Sequence, residues 1–192
     1  TSKKSRLDVH KLRASSDVIL TGIGTVLADN PRLTVRNKEF IKPNKWIPPK
    51  RFVLDSNLRL KGNEILLTDG METIVFCNKL KKVPYFEPPI KIIEAPGRSN
   101  RISLKKVMEY LNKEECNYLM IEAGSEINSS FIRSELIDEF VFYIAPTKLG
   151  KNKINFSEFE SSFSNIGTIH LKLKQISEIG PDIKLVTKPL YS

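Results

Sequence analysis

The sequence predicts an α/β protein, a three-layer αβα arrangement on a mixed, mostly parallel sheet that ends in an antiparallel hairpin. Three observations carry this prediction. Short apolar runs of strand length alternate with stretches of helical periodicity. One segment, Tyr118 to about residue 134, reads as a strand, a glycine turn and a helix in direct succession. The C-terminal stretch holds two alternating runs on either side of Gly180-Pro181, a hairpin signal without the form of a tight two-residue turn.

The elements follow in order. Residues 3 to about 14 form a helix with a partial apolar face from Leu7, Val9 or His10, and Leu12, and Ser2 is placed to cap it. Val18–Leu20 is a buried strand, broken at Gly22 and Gly24, where the backbone turns sharply or comes close to a ligand. Asn30-Pro31 makes a turn, and a proline- and lysine-rich loop around Trp46 runs from about 37 to 50. Strands follow at 51–55, Ile65–Leu67, Thr73–Cys77 and Ile90–Glu94, punctuated by Pro88-Pro89 and Pro96-Gly97. Ser103 caps a helix from Leu104 to about Lys113, with Leu104, Val107, Met108 and Leu111 at helical spacing. A strand over 118–122, a turn at 123–125 and a helix from 126 to about 134 come next. Strands at 139–145, 168–176 and 183–188 complete the chain.

A chain of 192 residues, 40% hydrophobic and 28% charged, has the composition of one globular domain. No apolar run approaches the roughly 18 residues a bilayer span needs, and the N-terminus lacks a signal peptide's apolar core. A cytoplasmic address is expected. The net charge of +9 attracts anions, but no basic run is interleaved with aromatics as single-strand binders require, so nucleic acid is not expected as a partner. Cys77 and Cys116 have no paired or metal-like spacing and read as buried thiols. His10 and His170 lie far apart in sequence, and no metal site is indicated.

The densest chemistry follows the first strand. Thr25, Asp29, Arg32 and Arg36 bring hydroxyl, carboxylate and guanidinium groups just past a strand end, where open α/β sheets bind ligands. Arginine suits bidentate contact with phosphate, although a lone arginine is more often a solvated surface residue. Glu122, at the carboxyl end of an apolar strand, is either paired or put to use. Gly124 and the helix start behind it offer unpaired backbone N–H groups, a place for an anion or simply a tight turn. Read locally, Thr25 is a cap, Asp29 a turn carboxylate and Ser56 a turn hydroxyl.

The segment Asp17–Arg36, with Val9-His-Lys-Leu-Arg13 before it, closely resembles the reductase domain of the bacterial riboflavin-biosynthesis deaminase/reductase family. Ile121-Glu-Ala-Gly124 with Ile137–Gly150 is similar to its second signature, and Glu178–Leu185 to its closing hairpin. Residues 57 to 117 match only in outline. The resemblance implies a dihydrofolate-reductase-like fold and an NADPH-dependent reduction of 5-amino-6-(5-phosphoribosylamino)uracil at C1′ of the ribose. It further implies substrate contacts from Arg13, Leu33, Arg36 and Glu122. Cofactor contacts would come from Thr25, Asp29, Ser56, Gly124, Ser125, Glu126, Ile127, Asn128, Ser129 and Ser130. Glu122 and Asp29 are the implied carboxylates for proton handling, and Arg32 does not match. A homodimer is implied as well. Family members normally begin with a strand upstream of the first helix, so a strand bearing a lysine and a Ser/Trp pair is expected to be missing here. No deaminase signature of the H-x-E and P-C-x-x-C type occurs in this sequence, so that activity is expected on another domain or partner. Two alternatives stand beside this reading: a reductase of the related diaminopyrimidinone, and a non-catalytic nucleotide- or RNA-binding relative.

Overall fold

In the computed structural model, which describes residues 1–41, 46–80, 86–147 and 169–191, the apolar run after Asp17 becomes the strand β1 (Val18–Gly22), all five residues buried. Burial on both faces is what a central parallel strand requires, and an unbroken apolar run meets it. β1 pairs in parallel with β2 (Lys50–Leu54) on one side and β5 (Leu119–Ile121) on the other. β3 (Thr73–Cys77) and β4 (Ile90–Glu94) extend the sheet, giving the order β4-β3-β2-β1-β5, parallel throughout. This sheet lies in the first of two compact units, residues His10–Gly124.

Both faces of that sheet are covered. Val53 and Val75 pack with Ile23 and Val26 of α2 (Ile23–Asp29), with Leu60 and with Leu66. On the opposite face the rings of Phe52 and Phe76 meet Tyr110 of α4 (Leu104–Lys113) at centroid distances of 5.8 and 5.5 Å. The α4 boundaries and the Ser103 cap, whose hydroxyl accepts from the Lys106 N–H, agree with the sequence reading. Each fully buried aliphatic or aromatic side chain here contributes about 1.5–3 kcal/mol.

Three local readings need correction. Residues 23–29 form α2 where the glycines had suggested only a break. Gly22 is its N-cap, and Asn30 closes it in a left-handed conformation (φ 42°) with its N–H on the Val26 carbonyl. Asparagine tolerates that conformation better than most side chains. Ile65–Leu67 is not a strand but part of a helical turn, α3 (Ile65–Thr68). A three-residue apolar run carries no periodicity to separate the two; the Asn30 carboxamide caps the Ile65 N–H, and Leu66 is fully buried. Cys77 is buried as expected, but Cys116 is only half-buried.

The second unit comprises Thr1–Val9 and Ser125–Ser192. The helix α1 (Lys3–Ala14) begins in it, with the Ser2 hydroxyl accepting from the Ser5 N–H as the expected cap. It also holds α5 (Ser125–Arg133) and an antiparallel sheet of order β6-β8-β7, with β6 Phe140–Ile144, β7 His170–Ile179 and β8 Asp182–Leu190. The hairpin is tighter than its sequence suggested. Ile179 pairs with Asp182, leaving only Gly180 and Pro181 in the turn. Gly180 takes φ 64°, which a primed two-residue turn demands and which glycine adopts without cost. Buried Asp182 accepts from the Ser2 N–H and the Ser5 hydroxyl. Lys148, Leu149 and Gly150 of the second signature lie outside the described residues. So do 42–45 of the proline-rich loop and Thr168.

A charge lies inside the first unit. Arg51, on β2, is completely buried. Its Nη1 and Nη2 grip the two Asp69 carboxylate oxygens at 2.7 and 2.8 Å and also donate to the carbonyls of Arg32 (3.0 Å) and Met71 (2.9 Å). Burial raises the pKa of Asp69, but its bonds with Arg51 outweigh that and hold it below the usual carboxylate value of 3.8. With the folded pKa depressed, this stabilisation is present above the unfolded value and is lost as pH falls through the folded one. We expect Asp69→Ala to strand the buried guanidinium and cost about 3–5 kcal/mol. Urea unfolding at neutral pH measures this; an unchanged midpoint would show that Arg51 finds other partners.

Candidate functional site

Glu122 follows β5 directly, and its backbone is held on both sides. Its N–H donates to the Leu20 carbonyl (2.9 Å), and its own carbonyl accepts from the buried Thr21 hydroxyl (2.7 Å). The carboxylate meets Arg13, in the last turn of α1, through two parallel bonds: Nε to Oε1 at 2.6 Å and Nη2 to Oε2 at 2.7 Å. The two side chains are 14% and 22% exposed, so the pair is largely withdrawn from water. Charge-assisted two-point contacts of this kind are among the stronger polar interactions in proteins. Glu122 is therefore paired with a side chain, where the sequence had left pairing and use open.

The remaining Arg13 nitrogen, Nη1, donates to the Thr34 carbonyl at 3.1 Å. Leu33, Thr34 and Val35 are buried without belonging to helix or strand, and Leu33 takes φ 51°, a conformation uncommon for a branched side chain. Arg36, at the end of this stretch, is exposed, and its N–H donates to His10 Nδ1 at 3.4 Å. Burial first, then the neighbouring Arg13 and Arg36 charges, hold the His10 imidazole below its ordinary value of 6.5; Glu122 and the Thr34 carbonyl oppose them.

The structure thus brings Arg13, Glu122, Leu33 and Arg36 to one place in the first unit. Arg13 spends its fork on Glu122, so the two arginines do not form a matched pair of open grips. Among the described residues the Arg36 guanidinium forms no salt bridge. Thr25 stands beside Gly124, its hydroxyl 4.0 Å from where a Cβ at Gly124 would lie, and apart from the chain neighbours no other atom of the described residues comes within 4 Å of that point. Gly124 is exposed and its conformation does not demand glycine. Asp29 is exposed in the last turn of α2. Ser56 follows β2, with its carbonyl on the Asn78 N–H. No hydrogen bond among the described residues joins Asp29 or Ser56 to the Arg13–Glu122 pair.

In the second unit, Ser125 to Ser130 form the first turns of α5. The N–H groups of a first helical turn have no partner within the helix. Glu126 occupies that turn, Ser129 is buried, and the Ser130 hydroxyl is bonded back to the Glu126 carbonyl. No group of His, Cys, Asp and Glu suited to a metal occurs among the described residues, and no described helix is long and apolar enough to cross a membrane.

Sequence reasoning missed His10, Thr21 and Arg51 as parts of this arrangement. All three carried a signal. Thr21 and Arg51 are polar positions at the ends of apolar strand runs, and a buried polar group demands a partner. His10 lies three residues before Arg13, hence on the same helix face.

Residues 1–185 match the family model described as the RibD C-terminal domain. A 5-amino-6-(5-phosphoribosylamino)uracil reductase of Buchnera aphidicola from Acyrthosiphon pisum is 34% identical over 197 residues, covering 98% of this chain and 94% of the relative. A 2,5-diamino-6-ribosylamino-4(3H)-pyrimidinone 5′-phosphate reductase of Archaeoglobus fulgidus is 36% identical over 147 residues, covering 74% and 67%. The solved structure of Acinetobacter baumannii RibD superposes with a TM-score of 0.77 at 28% identity, covering 99% of this chain and 51% of that one. The chain spans about half the length of the RibD proteins it matches.

We expect Glu122→Ala to lower the unfolding free energy by about 1–3 kcal/mol, because Arg13 loses its charged partner. A double-mutant cycle with Arg13→Ala, read by urea unfolding, should return a coupling of about 1–3 kcal/mol. A coupling near zero would mean that the pair contributes nothing net to folding.

Proposed function

The chain belongs to the RibD C-terminal domain family, and from that premise we propose that it reduces the ribose of 5-amino-6-(5-phosphoribosylamino)uracil to the ribitylamino phosphate, a step in riboflavin biosynthesis. The carrying observation is the Arg13–Glu122 pair set against the Thr34–Arg36 stretch, within residues that match the family model. Arg36 is the phosphate grip: it is exposed and, among the described residues, in no salt bridge. Leu33 is buried, so it meets the substrate through its backbone. Glu122, orientated by Arg13, accepts hydrogen bonds from the hydroxyls of the opened sugar. The protein's contribution is positioning and fixed charge.

We assign NADPH as the reductant; when bound, it supplies the hydride. The residues fit such a group at Gly124, which is open to solvent, uncrowded and not required by its backbone angles. Thr25 adds a hydroxyl there, and Asp29 and Ser56 remain proposed contacts of the same unit. The start of α5 at Ser125 independently presents N–H donors suited to a phosphate, and Ser125 through Ser130 remain proposed cofactor contacts. Glu122 and Asp29 are the carboxylates proposed to handle the proton. A homodimer, and a deaminase carried by another domain or protein, complete the proposed setting.

The Archaeoglobus similarity supports a second reading, with the diaminopyrimidinone as substrate. Side-by-side turnover of both pyrimidines with NADPH, followed by loss of the cofactor's near-ultraviolet absorbance, tests both. No turnover of either would refute the reductase assignment. Arg36→Ala should raise KM for the phosphorylated substrate roughly 10- to 100-fold with little change in kcat, the scale of a lost charge-assisted contact. Gly124→Val should raise KM for NADPH while leaving the urea midpoint unchanged. If KM for NADPH stays at its wild-type value, the cofactor does not pass over Gly124.

A further inference from the structure

We propose that His10 is a positioning residue for Arg36: its neutral imidazole accepts the Arg36 backbone N–H and so sets where the substrate's anionic group is gripped. The proposal rests on the reading of Arg36 as the phosphate contact. The Arg36 N–H lies 3.4 Å from His10 Nδ1. The Thr34 carbonyl, two residues earlier, faces the same ring and also accepts from Arg13 Nη1. One face of α1 therefore holds both the first and the last residue of Thr34–Arg36. The arginine side chain can search for an anion, but its Cα cannot drift.

Only the neutral ring has a free nitrogen lone pair. When Nδ1 takes a proton from solvent, the Arg36 N–H loses its acceptor, and a positive ring sits beside two guanidinium groups. The charged groups facing His10 are Arg13 from its own helix, Arg36 from the loop, and Glu122 from beyond β5. Burial first, then two positive charges against one negative, push the imidazole below its ordinary value of 6.5. Protonation then sets in below that value, and the grip is lost as pH falls, not as it rises.

The test compares wild type, His10→Asn, His10→Ala and Arg36→Ala, measuring KM for the phosphorylated pyrimidine and kcat from about pH 5 to about pH 8, the range in which histidine titrates. The substrate's own phosphate titrates in this range for every variant, so the difference between enzymes is what counts. Asparagine places a carbonyl oxygen near the position of Nδ1 but does not titrate. Wild type should show KM rising toward acid with kcat steady. His10→Asn should keep a low KM and lose that component of the rise. His10→Ala should raise KM roughly three- to tenfold even at neutral pH, the scale of one lost hydrogen bond. An acid-side rise in His10→Asn equal to that of wild type, while Arg36→Ala still raises KM, overturns the role of His10 alone. An unchanged KM in Arg36→Ala overturns the anion grip itself and with it what rests on it.

Discussion

Residues 31–36 cross the first unit without helix or strand, yet Leu33, Thr34 and Val35 are buried within it. Backbone polar groups taken out of water need partners, and with no ladder to supply them the partners are basic side chains. Arg51 donates to the Arg32 carbonyl, Arg13 to the Thr34 carbonyl, and His10 accepts from the Arg36 N–H. Much of the site's geometry depends on satisfying this one irregular segment.

The two arginines among them are themselves anchored. Arg51 is neutralised by Asp69 and Arg13 by Glu122, both through two-point contacts. Glu122 in turn is fixed by the Leu20 carbonyl and the Thr21 hydroxyl. The network runs from two strands of the parallel sheet, through two ion pairs, to a loop that ends on an exposed arginine. A rigid sheet edge and a buried loop thereby place a flexible cationic side chain in water. For the anion grip proposed at Arg36, the cost of ordering the site has then been met in folding, and only the side chain remains to be ordered on binding.

The glycines divide along the same line. Gly180 is required by its turn, where φ is positive. Among the described residues nothing requires a glycine at Gly124, since its φ is not positive and its surroundings are open. That openness, next to a strand end and a threonine hydroxyl, is what the proposed cofactor contact at Gly124 rests on.

Much of the fold was legible from local pattern. Val18–Leu20 and Thr73–Cys77 read as strands because buried parallel strands are largely apolar, Ile90–Glu94 read as one because a short apolar run stands between Pro88-Pro89 and Pro96-Gly97, and Ser103–Lys113 declared itself by a cap and helical spacing. The family was legible too, because its motifs lie in short contiguous blocks: Arg13, Arg36 and Glu122 could be named as candidates before any contact was known. What the linear pattern left open was pairing. Ile65–Leu67 became a helical turn because Asn30, 35 residues away, caps it. Arg51 was hidden in a strand-like run, and its partner Asp69 lies beyond the loop and α3 that follow β2. Glu122 and Arg13 are 109 positions apart. Composition and periodicity report which groups are apolar and how often they recur. Which charge answers which across the fold is settled only when packing withdraws both from water and leaves each no other partner.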